Sequence, residues 1–521
     1  MISPELSREL SHISFESGRQ VGLLIGRDGS VETVLLGGPG SLYIPDLPKS
    51  RGGRWRLRGL RLVHTHLHSE QISQDDLMDL VFLRLDCVGV VYVDEHGGAT
   101  QLEIAHILPG TGNGSNGWEI LAPMSCHDPD LDFQALVRSL EDELTRNRLA
   151  IPAARDGEDR AILVSVTDAD RESAKRSMQE LVELARTGGI IAADTVIQRQ
   201  RHKNPKYFIG KGKLSEIVLR ALQCGVDLLI FDQELNPSQV RAITDRTELR
   251  VVDRTQLILD IFAQRAQSME GKIQVEMAQL KYLLPRLGVK DDALSRLTGG
   301  IGTRGPGETT LEINRRRTKD RIAQLEDDLR SLRKRRNLRR ARRSRKEMPT
   351  ISIVGYTNAG KSTLVNSLTH SSVFVEDKLF ATLDPISRRL RFPKDFEVII
   401  TDTVGFIKDL PQDLLDAFSA TLEELQDADL LLHLIDISNE QFEDQMDSVE
   451  RTLRKLDLHA KPVITVFNKI DLLPPELVER KTRKHGGIGI SAINPRTLEP
   501  LISAMQDNVA DFAEREVGFT A

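Results

Sequence analysis

The 521-residue sequence holds only three cysteines, Cys87, Cys126 and Cys224. They lie far apart and make no CxxC pair, which excludes a disulfide framework. Small buried apolar side chains in a reducing cytosol are the simplest reading. No run of 18 apolar residues occurs, so no membrane-spanning helix is expected. The opening Met1-Ile-Ser-Pro-Glu-Leu-Ser7 has neither the apolar stretch of a secretory signal nor the arginines of a transit peptide, so a cytoplasmic location is expected. With 40% apolar and 28% charged residues the composition is that of an ordinary globular protein. Wholesale disorder, collagen-like repeats and a mucin-like stalk are excluded. At roughly 150 residues per domain, the length predicts three to four domains.

Net charge is also small, -6 from 71 basic and 77 acidic residues, but it is unevenly placed. Residues 315–346 hold 16 Lys/Arg against 4 Asp/Glu, a local +12 that leaves the remainder near -18. A dense basic block in an acidic chain predicts one surface facing a polyanion; a merely solvated helix face is the bland alternative.

Residues 1–155 alternate strand-like runs (Val21–Ile25, Val31–Leu36, Leu60–Val63, Val88–Val93) with breakers at Gly37, Gly52 and Gly110. Leu77, Leu80, Val81 and Leu85 have helical spacing, so an α/β or α+β region is predicted. Residues 160–268 alternate strands and helices in the rhythm of a small parallel α/β sheet. Residues 269–346 carry no strand signal. Two helical stretches, about 270–287 and 309–340, flank the glycine-rich Thr298–Glu308, which predicts a helical hairpin with a long tip loop; Ile313, Ile322, Leu325, Leu329 and Leu332 form its apolar stripe. Met348-Pro349 marks a boundary, 349–508 is again α/β, and 509–521 is expected to be a frayed tail.

The chemistry-bearing motifs lie in the last α/β region. The apolar run Ile351–Val354 leads directly into Gly355-Tyr356-Thr357-Asn358-Ala359-Gly360-Lys361-Ser362-Thr363 and then a helical pattern. This is GxxxxGK[ST] in its required strand-loop-helix setting. Backbone N–H groups and the helix N-terminus suit phosphates, Lys361 suits the β- and γ-phosphates, and Ser362 suits Mg2+. Val398–Gly405 delivers DxxG: Asp402 for Mg2+ through water, and Gly405 for the γ-phosphate through its N–H. Pro462–Asp471 ends in NKxD. The Asp471 carboxylate can accept from both N1–H and the 2-amino group of guanine, a pair that adenine lacks, with Asn468 and Lys469 bracing the base site. Ser491-Ala492 can complete guanine recognition through the Ala492 N–H. Together these predict GTP/GDP rather than ATP. Thr382 is the predicted threonine for Mg2+ and γ-phosphate, with Thr401 and Thr403 as lesser alternatives. The predicted catalytic set is therefore Lys361, Thr382, Asp402 and Gly405.

Phe406 follows Gly405 where many small GTPases carry a glutamine that orients water. It predicts slow intrinsic hydrolysis completed by a partner, or else simple packing of a switch segment. Asn358 can hold K+ beside the phosphates or merely cap the loop.

Several long strings resemble the ribosome-associated HflX GTPase family: Lys206–Lys213, Phe231–Gln239, Val252–Ala263, Thr298–Thr309, Ala381–Pro385 and Asp402–Ile407, in that order across about residues 160–505. The resemblance implies a nucleotide-binding-like α/β domain, a helical hairpin and a Ras-like G domain. It also implies GTP-dependent binding to the large ribosomal subunit and its rRNA, ribosome-stimulated hydrolysis, and splitting of stalled or idle ribosomes. Sixteen cations on a helical arm suit an rRNA backbone. A monomer in solution is expected. Two rival readings are an assembly or anti-association factor that uses GTP as a binding switch, and an ATP-driven RNA remodeller working through residues 160–265. Gly210-Lys-Gly-Lys213 can hold a phosphate in that second case, but it lacks P-loop spacing and also reads as a plain turn.

Residues 1–155 resemble a degenerate JAB/MPN domain through His64, His66, Ser73 and Asp76, with Glu16 as the candidate general acid/base. Two imidazoles and a carboxylate suit Zn2+. Leu67 replaces the usual proline and the spacing to Ser73 is short, so a structural or interaction domain is the main expectation.

Overall fold

The computed structural model describes the chain except for residues 46, 48–56, 68–69, 109–116, 128–130, 151–158, 288–309, 345–347, 370–378, 381–385, 393–396, 409–424 and 519–521. The predicted tip loop at 298–308 and Thr382 therefore lie outside the described residues. Two compact units are formed, Met1–Arg254 and Thr255–Ala521.

The first unit holds two sheets. One has the order β2-β1-β3-β4-β5-β6, with β7 pairing β5; its strands are β1 (Val21–Gly26), β2 (Val31–Leu36), β3 (Leu60–Leu67), β4 (Cys87–Val93), β5 (Ala99–Ile107), β6 (Trp118–Ile120) and β7 (Met124–Ser125). Helix α1 (Pro4–Ser17) precedes it and α2 (Gln74–Phe82) crosses between the parallel β3 and β4. Ser73 and Asp76 close a reciprocal capping box on α2, which fixes where that helix begins. After α3 (Phe133–Ala150) comes the second sheet, order β11-β10-β8-β9 and wholly parallel, built from β8 (Asp159–Thr167), β9 (Ile190–Arg199), β10 (Leu228–Phe231) and β11 (Arg250–Asp253). Helices α4 (Arg171–Thr187), α5 (Lys211–Cys224) and α6 (Pro237–Thr247) make its crossovers.

The expected boundary near residue 155 is no break in packing. Leu62, Leu80, Val81 and Val90 share one buried cluster with Ile217, Val218, Leu219 and Leu222. Arg58 and Arg84 both pair with Glu248, and Arg246 pairs with Asp79. Gly117, at φ +79°, lies so close that a Cβ would overlap Leu219. Such long-range apolar matches are invisible to local periodicity.

The second unit contains α7 (Arg254–Arg265) beyond its first residue, then α8 (Met269–Leu283) and α9 (Thr310–Ser344). Ile322, Leu325 and Leu329 of α9 bury against Ile273 and Met277 of α8, with Leu332 packed beside them. The Arg321–Glu276 and Lys281–Glu326 pairs flank that seam. The predicted stripe is thus the seam, apart from Ile313, while Arg315, Arg316, Arg317 and Lys319 stay exposed.

The remaining sheet has the order β13-β14-β12-β15-β16-β17: β12 (Thr350–Gly355), β13 (Ile386–Arg391), β14 (Glu397–Asp402), β15 (Leu430–Asp436), β16 (Val463–Asn468) and β17 (Ile488–Gly489). All neighbours are parallel except β13 and β14. Helices α10 (Lys361–Thr369), α11 (Phe442–Lys455), α12 (Pro475–His485) and α13 (Glu499–Gly518) accompany it. Here the tail expectation is corrected. α13 continues through the predicted boundary at 508, and Val509 is fully buried with Leu501 and Met505 because it falls on the same helical face.

Candidate functional site

β12, β14, β15 and β16 all end at one edge of the parallel sheet, where a doubly wound fold collects its ligand groups. The loop Gly355–Gly360 runs from β12 into α10. It is held by close packing: a Cβ on Gly355 would lie 2.2 Å from the Leu434 carbonyl, and one on Gly360, at φ +95°, 2.4 Å from Asn468 Nδ2. Asn358 sits exposed at the loop's tip in the left-handed region, φ +61°.

Lys361 opens α10 and folds back under the loop. Its ammonium donates to the carbonyls of Tyr356 at 2.9 Å and Gly355 at 3.2 Å. Burial pulls its pKa down to about 8 against the opposing pull of the Asp402 charge. The next residue, Ser362, donates its hydroxyl to Asp402 Oδ2 at 2.7 Å, and Thr363 continues the helix. The two sequence-separated motifs therefore meet as expected. Gly405 closes the group, since a Cβ there would lie 3.1 Å from Lys361 Nζ and 3.0 Å from Thr357 Cα.

The DxxG segment is zipped to the loop. Thr357 N donates to Phe406 O at 2.8 Å, and Phe406 N donates to Gly355 O at 3.1 Å. Lys408 N donates to the Tyr356 hydroxyl at 2.8 Å. Phe406 is 2% exposed, a packed side chain. The hydroxyls of the alternatives Thr401 and Thr403 are engaged by Ser387 Oγ and the Ile353 carbonyl.

The NKxD end ties three segments together. Asn468 donates to Ala359 O at 2.8 Å and accepts from Ala492 N at 2.9 Å. That Ala492 N–H, read from the sequence as a guanine donor, is thus given to Asn468. Ser491 donates to Asp471 Oδ1 at 2.5 Å, which holds the exposed carboxylate in place. Lys469, at φ +65°, pairs with Asp436 Oδ2 at 2.7 Å. Asp436 and the Tyr356 hydroxyl were missed by sequence reasoning. The signal for Asp436 is a carboxylate at the carboxyl end of the apolar run Leu430–Ile435; Tyr356 carries none.

The other candidates fare differently. Gly210 caps α5 without a side-chain hydrogen bond, and Lys213 pairs with Glu216 at 2.7 Å. Glu16 lies 3.6 Å from His12 on α1 with its side chain two-thirds exposed, so it is not presented as a catalytic group.

Comparison with known proteins gives three consecutive family matches: GTP-binding GTPase N-terminal over residues 175–263, GTP-binding GTPase Middle Region over 265–343, and 50S ribosome-binding GTPase over 350–469. GTPase HflX of Caldanaerobacter subterraneus subsp. tengcongensis is 48% identical over 364 residues, covering 70% of this chain and 83% of that protein. GTPase HflX of Escherichia coli is 41% identical over 361 residues, covering 68% and 84%. A GTP-binding protein from the archaeon Sulfolobus solfataricus, solved with GDP, is 25% identical, covers 68% of this chain and 99% of that one, and has a TM-score of 0.36. A P-loop lysine beside a DxxG aspartate, an ordered NKxD end and this extent of identity lead to one conclusion: the chain belongs to the HflX family of GTPases.

Proposed function

We propose that GTP with Mg2+ binds at Gly355–Thr363 and that its hydrolysis drives release of the two subunits of stalled or idle ribosomes. The observation that carries the nucleotide reading is the convergence of Lys361, Ser362, Asp402 and Gly405 at one sheet edge. Ser362, with Asp402 through water and Thr382, would hold Mg2+; the two oxygens already in contact suit a hard cation. Held by these residues, Mg2+ would supply charge neutralisation at the β- and γ-phosphates. Lys361 turns its ammonium from the loop carbonyls to those phosphates, and the Gly405 N–H meets the γ-phosphate. Asn358 can supply an oxygen to K+. Asp471, braced by Ser491 and flanked by Lys469, reads the guanine edge, while Asn468 keeps the base and phosphate ends in register. Phe406 offers no group to orient water, so intrinsic turnover is slow and a partner completes the site.

The match to a 50S ribosome-binding GTPase family supports the large subunit as that partner. The basic residues of 269–346 supply phosphate-backbone contacts, and binding weakens steeply with salt. Action on ribosomes places the protein in the cytoplasm, and no described helix is long and apolar enough to cross a membrane. GTP hydrolysis is to be measured with and without large subunits and intact ribosomes, with light scattering to follow dissociation. Stimulated hydrolysis with dissociation, the latter lost when 299–308 is deleted, is expected. Stimulation without subunit release would favour an anti-association factor. ATP hydrolysis that survives Lys361→Ala would favour the remodeller.

A further inference from the structure

Within the second unit, one side chain of α7 meets the stretch of chain between α10 and β13. Phe262 is fully buried, and its ring packs edge to face on the Phe380 ring, with centroids 4.7 Å apart and planes at 89°. Phe380 is itself 2% exposed. Its φ is +54°, the left-handed region, where a bulky side chain crowds the backbone. Such a conformation persists only where the surroundings impose it, and the Phe262 ring is part of what imposes this one.

The place of Phe380 in the sequence gives the contact its meaning. Thr382 follows two residues later. Two residues span at most about 7 Å, so holding Phe380 holds Thr382 within that reach. On the far side, Ile386 opens β13 and pairs in register with Asp402. The threonine proposed for Mg2+ and the γ-phosphate therefore stands, in sequence, between a ring anchored on α7 and a strand anchored on the DxxG aspartate.

α7 is in turn tied to the helical hairpin. Residues 266–268 join it to α8, and Ser268 caps α8 by accepting from Gly271 N at 2.9 Å. Gln279 of α8 donates to Asp260 of α7 at 3.2 Å. Asp260 and Phe262 are two residues apart, hence about 200° apart around the helix. One side of α7 thus holds α8, which carries the seam with α9, and nearly the opposite side holds Phe380. A packed helix moves as a rigid element, so a displacement of the hairpin is passed to the Phe380 ring.

We propose that Phe262 is a positioning residue for GTP hydrolysis. Its ring holds Phe380 and so sets where Thr382 stands, and through α7 it conveys the state of the α8–α9 hairpin to the nucleotide. This rests on the reading of Gly355–Thr363 as the GTP site and of the hairpin as the ribosome-binding arm. It gives a partner on that arm a route to a site in which Phe406 orients no water.

The test uses the full-length chain, Phe262→Leu, Phe380→Leu and the double variant, with single-turnover GTP hydrolysis, GDP affinity and melting temperature as readouts. GDP has no γ-phosphate, so its affinity should stay within twofold in every variant. Hydrolysis at saturating GTP should fall at least fivefold in each single variant. The double variant should be no slower than the slower single one, because both act through one contact. Gln279→Leu should keep its unstimulated rate within twofold and lose at least two-thirds of the stimulation by large subunits. Hydrolysis within twofold of wild type in folded Phe262→Leu, or in Phe380→Leu should the first variant not fold, would overturn the positioning role. So would losses that multiply in the double variant, or a fall in GDP affinity that matches the fall in hydrolysis. Full stimulation of Gln279→Leu would overturn the hairpin link. A wild-type chain that binds no GDP and turns over no GTP would overturn the nucleotide reading and the proposal with it. Wild-type turnover that large subunits leave unchanged would overturn the large-subunit reading and the hairpin link with it.

Discussion

Two helices in this chain open on glycine and lysine, and they show how little residue type alone decides. At α5, Gly210-Lys-Gly-Lys213 leaves Lys213 at the surface beside Glu216, and a Cβ on Gly212 would meet open space. At α10, Lys361 is folded under its own loop, 7% exposed, within reach of Asp402, and Gly360 has no room for a Cβ. The first is an ordinary solvated helix start. The second has a strand end, a second strand's aspartate and a bracing asparagine around it, and those neighbours are the setting that the proposed phosphate site requires.

The largest separation of the two turns should come from their lysines. Lys361→Ala is expected to lower GTP hydrolysis at least 100-fold, while Lys213→Ala leaves it within twofold, measured as steady-state phosphate release. The glycines come next. Gly360→Ala forces a side chain into φ +95° and against Asn468, so GTP affinity should fall at least tenfold in a calorimetric titration. Gly212→Ala should instead stabilise its unit by about 0.5–1 kcal/mol in a denaturant melt.

A third contrast lies beneath the second turn. His433 pairs in register with Val354, just before the loop, and burial pulls its pKa down to about 4. Between pH 6.5 and 4 the unfolded chain binds a proton that the native histidine refuses. Stability is therefore present above pH 6.5 and is lost as pH falls, by about 2–3 kcal/mol at pH 4. Denaturation of His433→Leu across that window should show a correspondingly flatter acid limb. A smaller loss of nucleotide affinity than that of Gly360→Ala is expected of Ser491→Ala. Removing the hydroxyl that holds Asp471 should weaken GTP binding about fivefold, or about 1 kcal/mol, in a nucleotide displacement assay.

The loop Gly355–Ser362 was legible because strand, glycine turn and helix are consecutive in sequence. The meeting of Ser362 with Asp402 was legible because motif order implies parallel strands ending together. The seam of α8 and α9 followed from 3.6-residue periodicity. Contacts between distant segments that no motif announces were not legible. Leu80 gives no local sign that it shares a core with Leu219, Tyr356 none that its hydroxyl accepts from Lys408, and Ala492 none that its N–H is taken by Asn468. The convergence of His64, His66 and Asp76 stood between these cases. The HxH spacing is local, but the approach of Asp76 depends on how α2 crosses β3.

The most direct test of the account is calorimetric titration of the full chain with GTP and with ATP in the presence of Mg2+, repeated on Lys361→Ala and Asp471→Asn. One equivalent of GTP bound by the wild-type chain, no detectable ATP, and weakened GTP binding in both variants is the predicted result. Stoichiometric ATP binding undiminished by Lys361→Ala would contradict it and move the nucleotide away from the second turn.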